Sequence, residues 1–372
     1  MIDDLYIITD AGQLLYSWHL KKSEVPSDDD LLSGFLTALD SFASVERGED
    51  IKSLKLKETN IIFEKSLDYQ QKLTFVVTTK NDEFIELIHS ILQDIIDNFT
   101  GMFKDSLNKE FDGEVTRFKS FSKNLDIIIF SHGLDTLLES ITQINKGGIF
   151  KSIVLLEPKG GHIFYIHAKQ FVDKNKLSYL IPLIVNSAKF LYQNNLNEKA
   201  NWILLTTIRN ENILVEIREK NLIVKQYQLL DNIEEEFLAL DFLKSKDKSI
   251  KKPKKIAEKF EKLIWDSRIK QIFLVDLMGK IIYSKSFDEN YNYSKFVPET
   301  ISVLTSSKKV CEEIYNRTLF NTSIGGDKLT TISINFNNFV LTMIGKVEDF
   351  NMFQTIQEIC LNIFLQIKQI YL

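Results

Sequence analysis

The sequence predicts a mixed α/β (α+β) chain of three domains, each a five-stranded antiparallel sheet flanked by helices. Three observations predict it. First, an apolar run, a glycine and a second apolar run recur three times. These are "LYIIT" then "GQLLY" (Gly12–Tyr16), "SIVLL" then "GHIFY" (Gly161–Tyr165), and "QIFLV" then "GKIIY" (Gly279–Tyr283). Second, each hairpin is followed by one helical stretch and three strand-like stretches, so the order is ββαβββα each time. Third, 372 residues with 27 phenylalanines exceed one domain and can fill several cores. The repeats stand more than a hundred residues apart, too far for a solenoid. A glycine suits a tight hairpin, where positive φ is needed. The tyrosine on each second strand reads as a sheet aromatic packed under a helix.

The first domain, residues 1–118, begins with strands near Leu5–Thr9 and Gln13–His19. A helix over Ser27–Val45 starts on Ser and Asp residues, which favour N-caps. Strands follow near Ile51–Lys57, Asn60–Lys65 and Leu73–Thr79. The amphipathic helix Asn81–Phe99 then places Phe84, Ile88, Ile91, Ile95 and Phe99 on one face, and a short helix near Met102–Phe111 closes the unit. "KSFSKN" (Lys119–Asn124) reads as a polar hinge, and "LDIIIFS" after it as an ordered connecting strand.

The second domain, residues 125–243, starts with a helix at Leu134–Asn145 and strands at Lys151–Glu157 and His162–His167. A long helix over Phe171–Asn194 precedes strands at Asn201–Ile208, Asn212–Arg218 and Leu222–Tyr227 and a helix near Ile233–Leu243. Residues 244–255, "KSKDKSIKKPKK", carry seven lysines against one acid. They read as a solvated linker or as a patch for anionic headgroups or an acidic partner. The third domain, 256–372, repeats the order: helix Ala257–Asp266, strands Gln271–Asp276 and Lys280–Phe287, helix Lys295–Tyr315, strands Thr318–Ile324, Leu329–Asn335 and Phe339–Lys346, and helix Phe350–Tyr371.

Net charge is −5, so no global basic footprint for nucleic acid exists. Cys311 and Cys360 read as reduced, buried thiols, consistent with a reducing cytosol. The N-terminus "MIDDLYIITD" lacks a basic n-region, and no apolar run is long enough to span a membrane, so any membrane contact is expected to be peripheral. The sequence contains no GxxxxGK[ST], HExxH, CxxC or GxSxG. His162 and His167 are five apart on a strand, which puts them on opposite faces and unable to share a metal. The paired glycines Gly147–Gly148, Gly160–Gly161 and Gly325–Gly326 read as turns. The expectation is a protein with no catalytic residues, cofactor or metal.

Helix faces point instead to interfaces. In the first domain Leu31, Leu32, Phe35, Leu39 and Phe42 share an arc expected to face the sheet. Ser33, Gly34, Thr37, Ser41 and Ser44 occupy the opposite arc, where small side chains would let another element dock. In the second, Leu177, Leu180, Ile181, Ile184, Ala188 and Leu191 form one apolar arc, while Tyr179, Leu183 and Phe190 form another that one sheet cannot bury. In the third, Phe296, Val303, Leu304, Val310 and Ile314 form a wide arc with Thr300 and Ser307 at its centre. The expectation is that the second and third domains pack on each other through Tyr179, Leu183 and Phe190 on one side and the Thr300–Ser307 surface on the other.

The stretch "LLSGFLTALDSFASVERGEDIKSLKLKETNIIFEKS…LTFVVTTKND" resembles longin domains, those of archaeal proteins in particular. The second and third domains begin with a helix and resemble roadblock (dynein light chain 7-like) domains. Both families share a profilin-like core, and the resemblance covers nearly the whole chain. It implies pairing of central helices with sheets joined edge to edge. It also implies partnership with a small Ras-like GTPase, as exchange factor, activator subunit or scaffold, and similarity to tri-longin subunits of Rab exchange factors. Other longin or roadblock proteins are further expected partners. The alternatives are a structural adaptor of a trafficking or tethering complex without GTPase contact, and a small-ligand sensor. A cytoplasmic protein, peripheral at a membrane through Lys244–Lys255, fits these expectations.

Overall fold

A computed structural model describes residues 2–20, 29–80, 85–228, 253–287, 297–336, 339–350 and 353–371. The expected helix Ile233–Leu243 and most of the lysine segment, residues 244–252, lie outside them. The chain folds as two compact units, Met1–Asp135 and Thr136–Leu372. No helix among the described residues is long and apolar enough to cross a membrane.

The first unit opens with β1 (Ile2–Thr9) and β2 (Leu14–His19), then α1 (Asp29–Arg47). Strands β3 (Ser53–Lys55), β4 (Asn60–Ser66) and β5 (Leu73–Thr79) follow, and the sheet order is β2-β1-β5-β4-β3. Period-2 alternation divides its strands. Tyr6, Ile8, Ile61, Phe63 and Val76 form a core with Leu36 of α1. Phe75, pointing the other way, meets Phe99 of α2 (Ile85–Met102) edge to face at 5.8 Å.

A short helix α3 (Lys104–Leu107) is followed by a 3-10 turn (Thr116–Phe121) and α4 (Ser122–Ser131). The expected hinge at Lys119–Asn124 is therefore helical, and so is the expected connecting strand behind it. The reason is aromatic packing: Phe118 and Phe121 are fully buried around Phe99, and Phe121 meets Tyr16 edge to face at 5.6 Å. The Tyr16 hydroxyl pairs with Ser122 Oγ at 3.1 Å.

The second unit contains the plan twice. After α5 (Leu134–Asn145) come β6 (Phe150–Leu156), β7 (Ile163–Ala168), α6 (Lys174–Leu191), β8 (Ala200–Thr207), β9 (Glu211–Ile217) and β10 (Leu222–Gln228). Then come α7 (Pro253–Phe260), β11 (Ile269–Asp276), β12 (Ile281–Ser286), α8 (Val297–Lys309), β13 (Leu319–Gly326), β14 (Leu329–Phe336), β15 (Phe339–Lys346) and α9 (Phe353–Tyr371). All ten strands form one sheet in the order β12-β11-β15-β14-β13-β8-β9-β10-β6-β7. Each half repeats the order of the first unit, and the halves join antiparallel through β8 and β13. The core of Val154, Leu180, Ile184, Val215, Phe273, Val303, Val310 and Val340 lies on the side of the sheet covered by α6 and α8. Ile272, Leu274, Ile334 and Met343 face the other way, toward α7 and α9.

The hairpin glycines all adopt positive φ: Gly12 at 85°, Gly161 at 68° and Gly279 at 81°. At Gly161 a side chain would also collide with the Ser178 carbonyl of α6, so the helix crosses directly over the turn. Gly325–Gly326, expected as a turn, instead ends β13. A side chain at Gly325 would strike the Trp202 ring, and one at Gly326 the Tyr192 ring.

Candidate protein-docking site

The joint between the two halves of the second unit is built from corresponding positions in each half. Both α6 and α8 end in a turn of π-helix, Tyr192–Leu196 and Val310–Ile314. The Glu198 N–H then donates to the Tyr192 carbonyl at 3.1 Å, and the Arg317 N–H to the Cys311 carbonyl at 2.9 Å. Asn197 and Asn316 stand at the same place in the left-handed region, φ 53° and 52°. The residue after each asparagine reaches across the joint to the other half.

On one side Glu198 Oε2 accepts from the backbone N–H groups of Lys328 and Leu329, both at 3.1 Å. On the other, Arg317 clasps the Glu211 carboxylate at 2.6 and 3.1 Å, and Lys151 adds a third contact at 2.7 Å. Glu211 is only 4% exposed. Burial alone would raise its pKa, but the hydrogen bonds from Arg317 and Lys151 outweigh burial and hold the carboxyl below its usual value.

Tyr192, fully buried, donates to the Ile324 carbonyl at 2.6 Å, with the Leu329 carbonyl and Thr331 Oγ1 each at 3.3 Å. Burial raises its pKa strongly. On the other face Gln357 Nε2 of α9 donates to Asn210 Oδ1 and Asn212 Oδ1, both at 3.0 Å. The corresponding Cys311 is buried, and burial pushes its thiol up; the Cys360 thiol is likewise pushed up to about 12.

Helices α6 and α8 pack together, but not through the expected face. Tyr179, Leu183 and Phe190 are 53%, 45% and 56% exposed. The arc of Leu177, Leu180, Ile181, Ile184, Ala188 and Leu191 enters the core that α8 shares. One broad arc suffices for both sheet and neighbour, because α8 approaches on the flank of α6. Thr300 and Ser307 of α8 are buried, and Ser307 Oγ donates to the Val303 carbonyl at 2.7 Å.

The exposed residues Tyr179, Leu183, Asn186 and Phe190 recur at i, i+4, i+7 and i+11, so they form one stripe along α6. Phe171, 91% exposed, stands just before that helix. The corresponding surface of α8 carries Ser302, Thr305, Lys308 and Lys309, all exposed.

In the first unit, α1 meets its sheet only partly as the sequence expectation has it: Leu32 packs against the core and Leu39 is half-buried. Ser33 is buried and donates to the Gly12 and Asp30 carbonyls at 3.2 and 2.9 Å. Thr37 is half-buried over Gly12, donating to the Ser33 carbonyl at 2.9 Å. Gly34 and Ser41 are exposed, and so are Leu31, Phe35 and Phe42, which had been expected to face the sheet. Ser33 and Thr37 face the hairpin because their small side chains let the helix approach its turn closely, and this leaves Leu31, Phe35 and Phe42 outside.

Among the described residues no group of three or more His, Cys, Asp or Glu is placed to hold a metal ion. His19 is clamped by Asp4 Oδ1 at 2.8 Å and Asp29 Oδ2 at 3.1 Å. Burial lowers its pKa, but the two carboxylates outweigh burial and raise it.

Glu211, Arg317, Glu198 and Tyr192 were not singled out by sequence reasoning. One signal existed: Asn-Glu at Asn197–Glu198 and Asn-Arg at Asn316–Arg317 stand at the same point of two repeats with opposite charge.

No family model matches the sequence, and no curated protein matches it. Among solved structures, MglB from Myxococcus xanthus aligns with 32% of this chain and 92% of its own, at 18% identity and a TM-score of 0.26.

Proposed function

We propose that the chain is a non-enzymatic binding platform for a small Ras-like GTPase, acting as a regulator or scaffold. The observation that carries the platform reading is the exposed apolar stripe Tyr179–Leu183–Phe190, set on a helix that the fused sheet and α8 hold rigidly in place. Contiguous exposed aromatic and aliphatic side chains on a buried scaffold mark protein contact surfaces. The chemistry of the partner comes from the resemblance to longin and roadblock domains. Such a platform acts by contact with the mobile loops of a nucleotide-binding protein, so no catalytic group is required of it.

The test is capture of small GTPases from the same genome, loaded with GDP or a GTP analogue, on the immobilised full chain. The reading requires nucleotide-dependent capture that Leu183→Asp and Phe190→Asp abolish. Absence of nucleotide-dependent capture refutes the GTPase reading and leaves the adaptor, which binding of the chain to anionic liposomes through Lys244–Lys255 would support.

A further inference from the structure

The three hairpins of the repeated plan end in different tips. The first carries Asp10 and Ala11 before its glycine, the second Pro158 and Lys159, and the third Leu277 and Met278. Leu277 is 51% and Met278 92% exposed, and Ile281 beside them at the start of β12 is 39% exposed. The tip belongs to the outermost strand pair, because β12 ends the ten-stranded sheet. From Leu277 to Phe287 the chain holds Lys280 and Lys285 and no acid. The neighbouring turn between β14 and β15, "FNNF" at Phe336–Phe339, is uncharged, and Phe339 stands opposite Asp276.

The backbone of this third tip is closed on itself. Asp276 Oδ1 accepts from the Met278 and Lys280 N–H groups, both at 2.9 Å. The Gly279 N–H donates to the Asp276 carbonyl and the Asp276 N–H to the Lys280 carbonyl, both at 3.0 Å. The N–H groups of Asp276, Met278, Gly279 and Lys280 therefore need no water, and the carboxylate at the tip is engaged by two of them. Such a turn loses little on leaving water, whereas an open loop would strand its donors. The same bonds fix the apex and hold Leu277 and Met278 outward.

We propose that this tip is a membrane-docking point: Leu277 and Met278 enter the interfacial layer of a bilayer bearing anionic lipids, with Lys280 at the headgroups. Apolar side chains partition into that layer, and an adjacent lysine lays its stem along it with the ammonium on the anionic headgroups. Shape favours lipid over a protein partner. An apex projects, so a protein would need a matching pocket, whereas a bilayer yields to it. Charge agrees: Lys280 is exposed, and the carboxylate nearest to it in the turn, Asp276, already accepts from two backbone donors. The other two tips, with Asp10 and Ala11 or Pro158 and Lys159, offer no such apolar pair. Two apolar side chains at an apex give reversible attachment rather than a span. Attachment of this kind requires no GTPase.

The full chain should sediment with mixed phosphatidylcholine–phosphatidylserine vesicles. Leu277→Asp with Met278→Asp should lower the vesicle affinity by about tenfold or more. Far-UV circular dichroism and melting temperature should not change, since both side chains are exposed. Lysines elsewhere in the chain can attract vesicles by charge alone, so insertion is read separately. Met278→Cys carrying a nitrobenzoxadiazole label should brighten and shift to the blue on vesicles, and nitroxide-bearing lipid should quench it. The same label on Ala11→Cys or Lys159→Cys, at the exposed tips of the other two hairpins, should stay in water. Cys311 and Cys360 are buried, so the label goes to the introduced thiol. A natural chain that does not bind these vesicles overturns the proposal. So does an equal shift of the label at all three tips. Binding that leaves the label at position 278 in water, or that survives the double Asp change, also overturns it and places the contact on another surface, such as Lys244–Lys255.

Discussion

Replacing Arg317 with Ala tests whether the two halves of the second unit are held at their corners. The substitution removes both hydrogen bonds to a carboxylate that is 4% exposed and leaves it only Lys151. Breaking a fully buried ion pair costs about 3–5 kcal/mol because a charge is stranded. Here the Arg317 side chain is 22% exposed and Lys151 stays in contact, so the cost falls to about 2 kcal/mol, the range of one or two lost charged hydrogen bonds. For a folding unit of this size each kcal/mol shifts melting by about 2–4 °C, so a fall of about 4–8 °C is expected. Scanning calorimetry or a fluorescence melt of the full chain reads it. Lys346→Ala is the control, since its partner Glu348 lies 3.5 Å away with a side chain 71% exposed, and such surface pairs are worth about 0–1 kcal/mol. An Arg317→Ala shift no larger than the control's would refute the corner as a source of stability.

Acid should weaken the same joint. The Glu211 carboxyl is held below its ordinary value, so its contribution is complete above the ordinary glutamate pKa and is lost as pH falls through the lowered folded value, which Glu211→Gln should flatten in pH-dependent melts. His19 has the opposite sign: its raised pKa makes the tie between β2 and α1 strongest below the ordinary histidine pKa and weaker as pH rises through the folded value, measurable as faster amide exchange at the start of α1. Phe190→Asp should leave melting temperature and solubility unchanged, because the residue is 56% exposed, while abolishing partner capture. Gly161→Ala should lower stability by more than about 1 kcal/mol in a chemical unfolding titration, since it meets both positive φ and the Ser178 carbonyl.

Much of this fold was legible in the sequence because hairpins and strands announce themselves locally. A glycine between two apolar runs fixes a turn, and period-2 alternation fixes two faces. The three hairpins and the strand order within each repeat follow from that. Helix rotation was not legible. The moment of α1 points its Leu31–Phe35–Phe42 arc inward, yet contact with the hairpin at Gly12 demanded the small side chains of Ser33 and Thr37. Likewise α6 offered two apolar arcs, and a single-sequence projection cannot say which of them meets a neighbour. The aromatic residues of "RFKSF" were visible, but their burial around Phe99 was not, because it depends on α2 lying nearby. Polar composition alone then suggested a hinge.

Joining two copies of a plan in one chain has a physical consequence at the joint. In a pair of identical subunits, the residue after the left-handed asparagine must serve both corners, so a Glu at one requires a Glu at the other. Here the positions have diverged. Glu198 satisfies two backbone N–H groups, while Arg317 neutralises a buried carboxylate. Tyr192 lies against Gly326 and reaches the Ile324 carbonyl of β13, whereas the matching Cys311 is small and buried. Pairing two copies of the first half would set Glu198 against Glu211, and pairing two copies of the second would leave Arg317 facing backbone donors, so pairing like halves costs unpaired buried charge. The outer surface inherits the asymmetry, apolar along α6 and hydroxyl- and lysine-bearing along α8. A partner docking across both helices would meet two different halves and could bind in only one of the two orientations that a symmetric pair would allow.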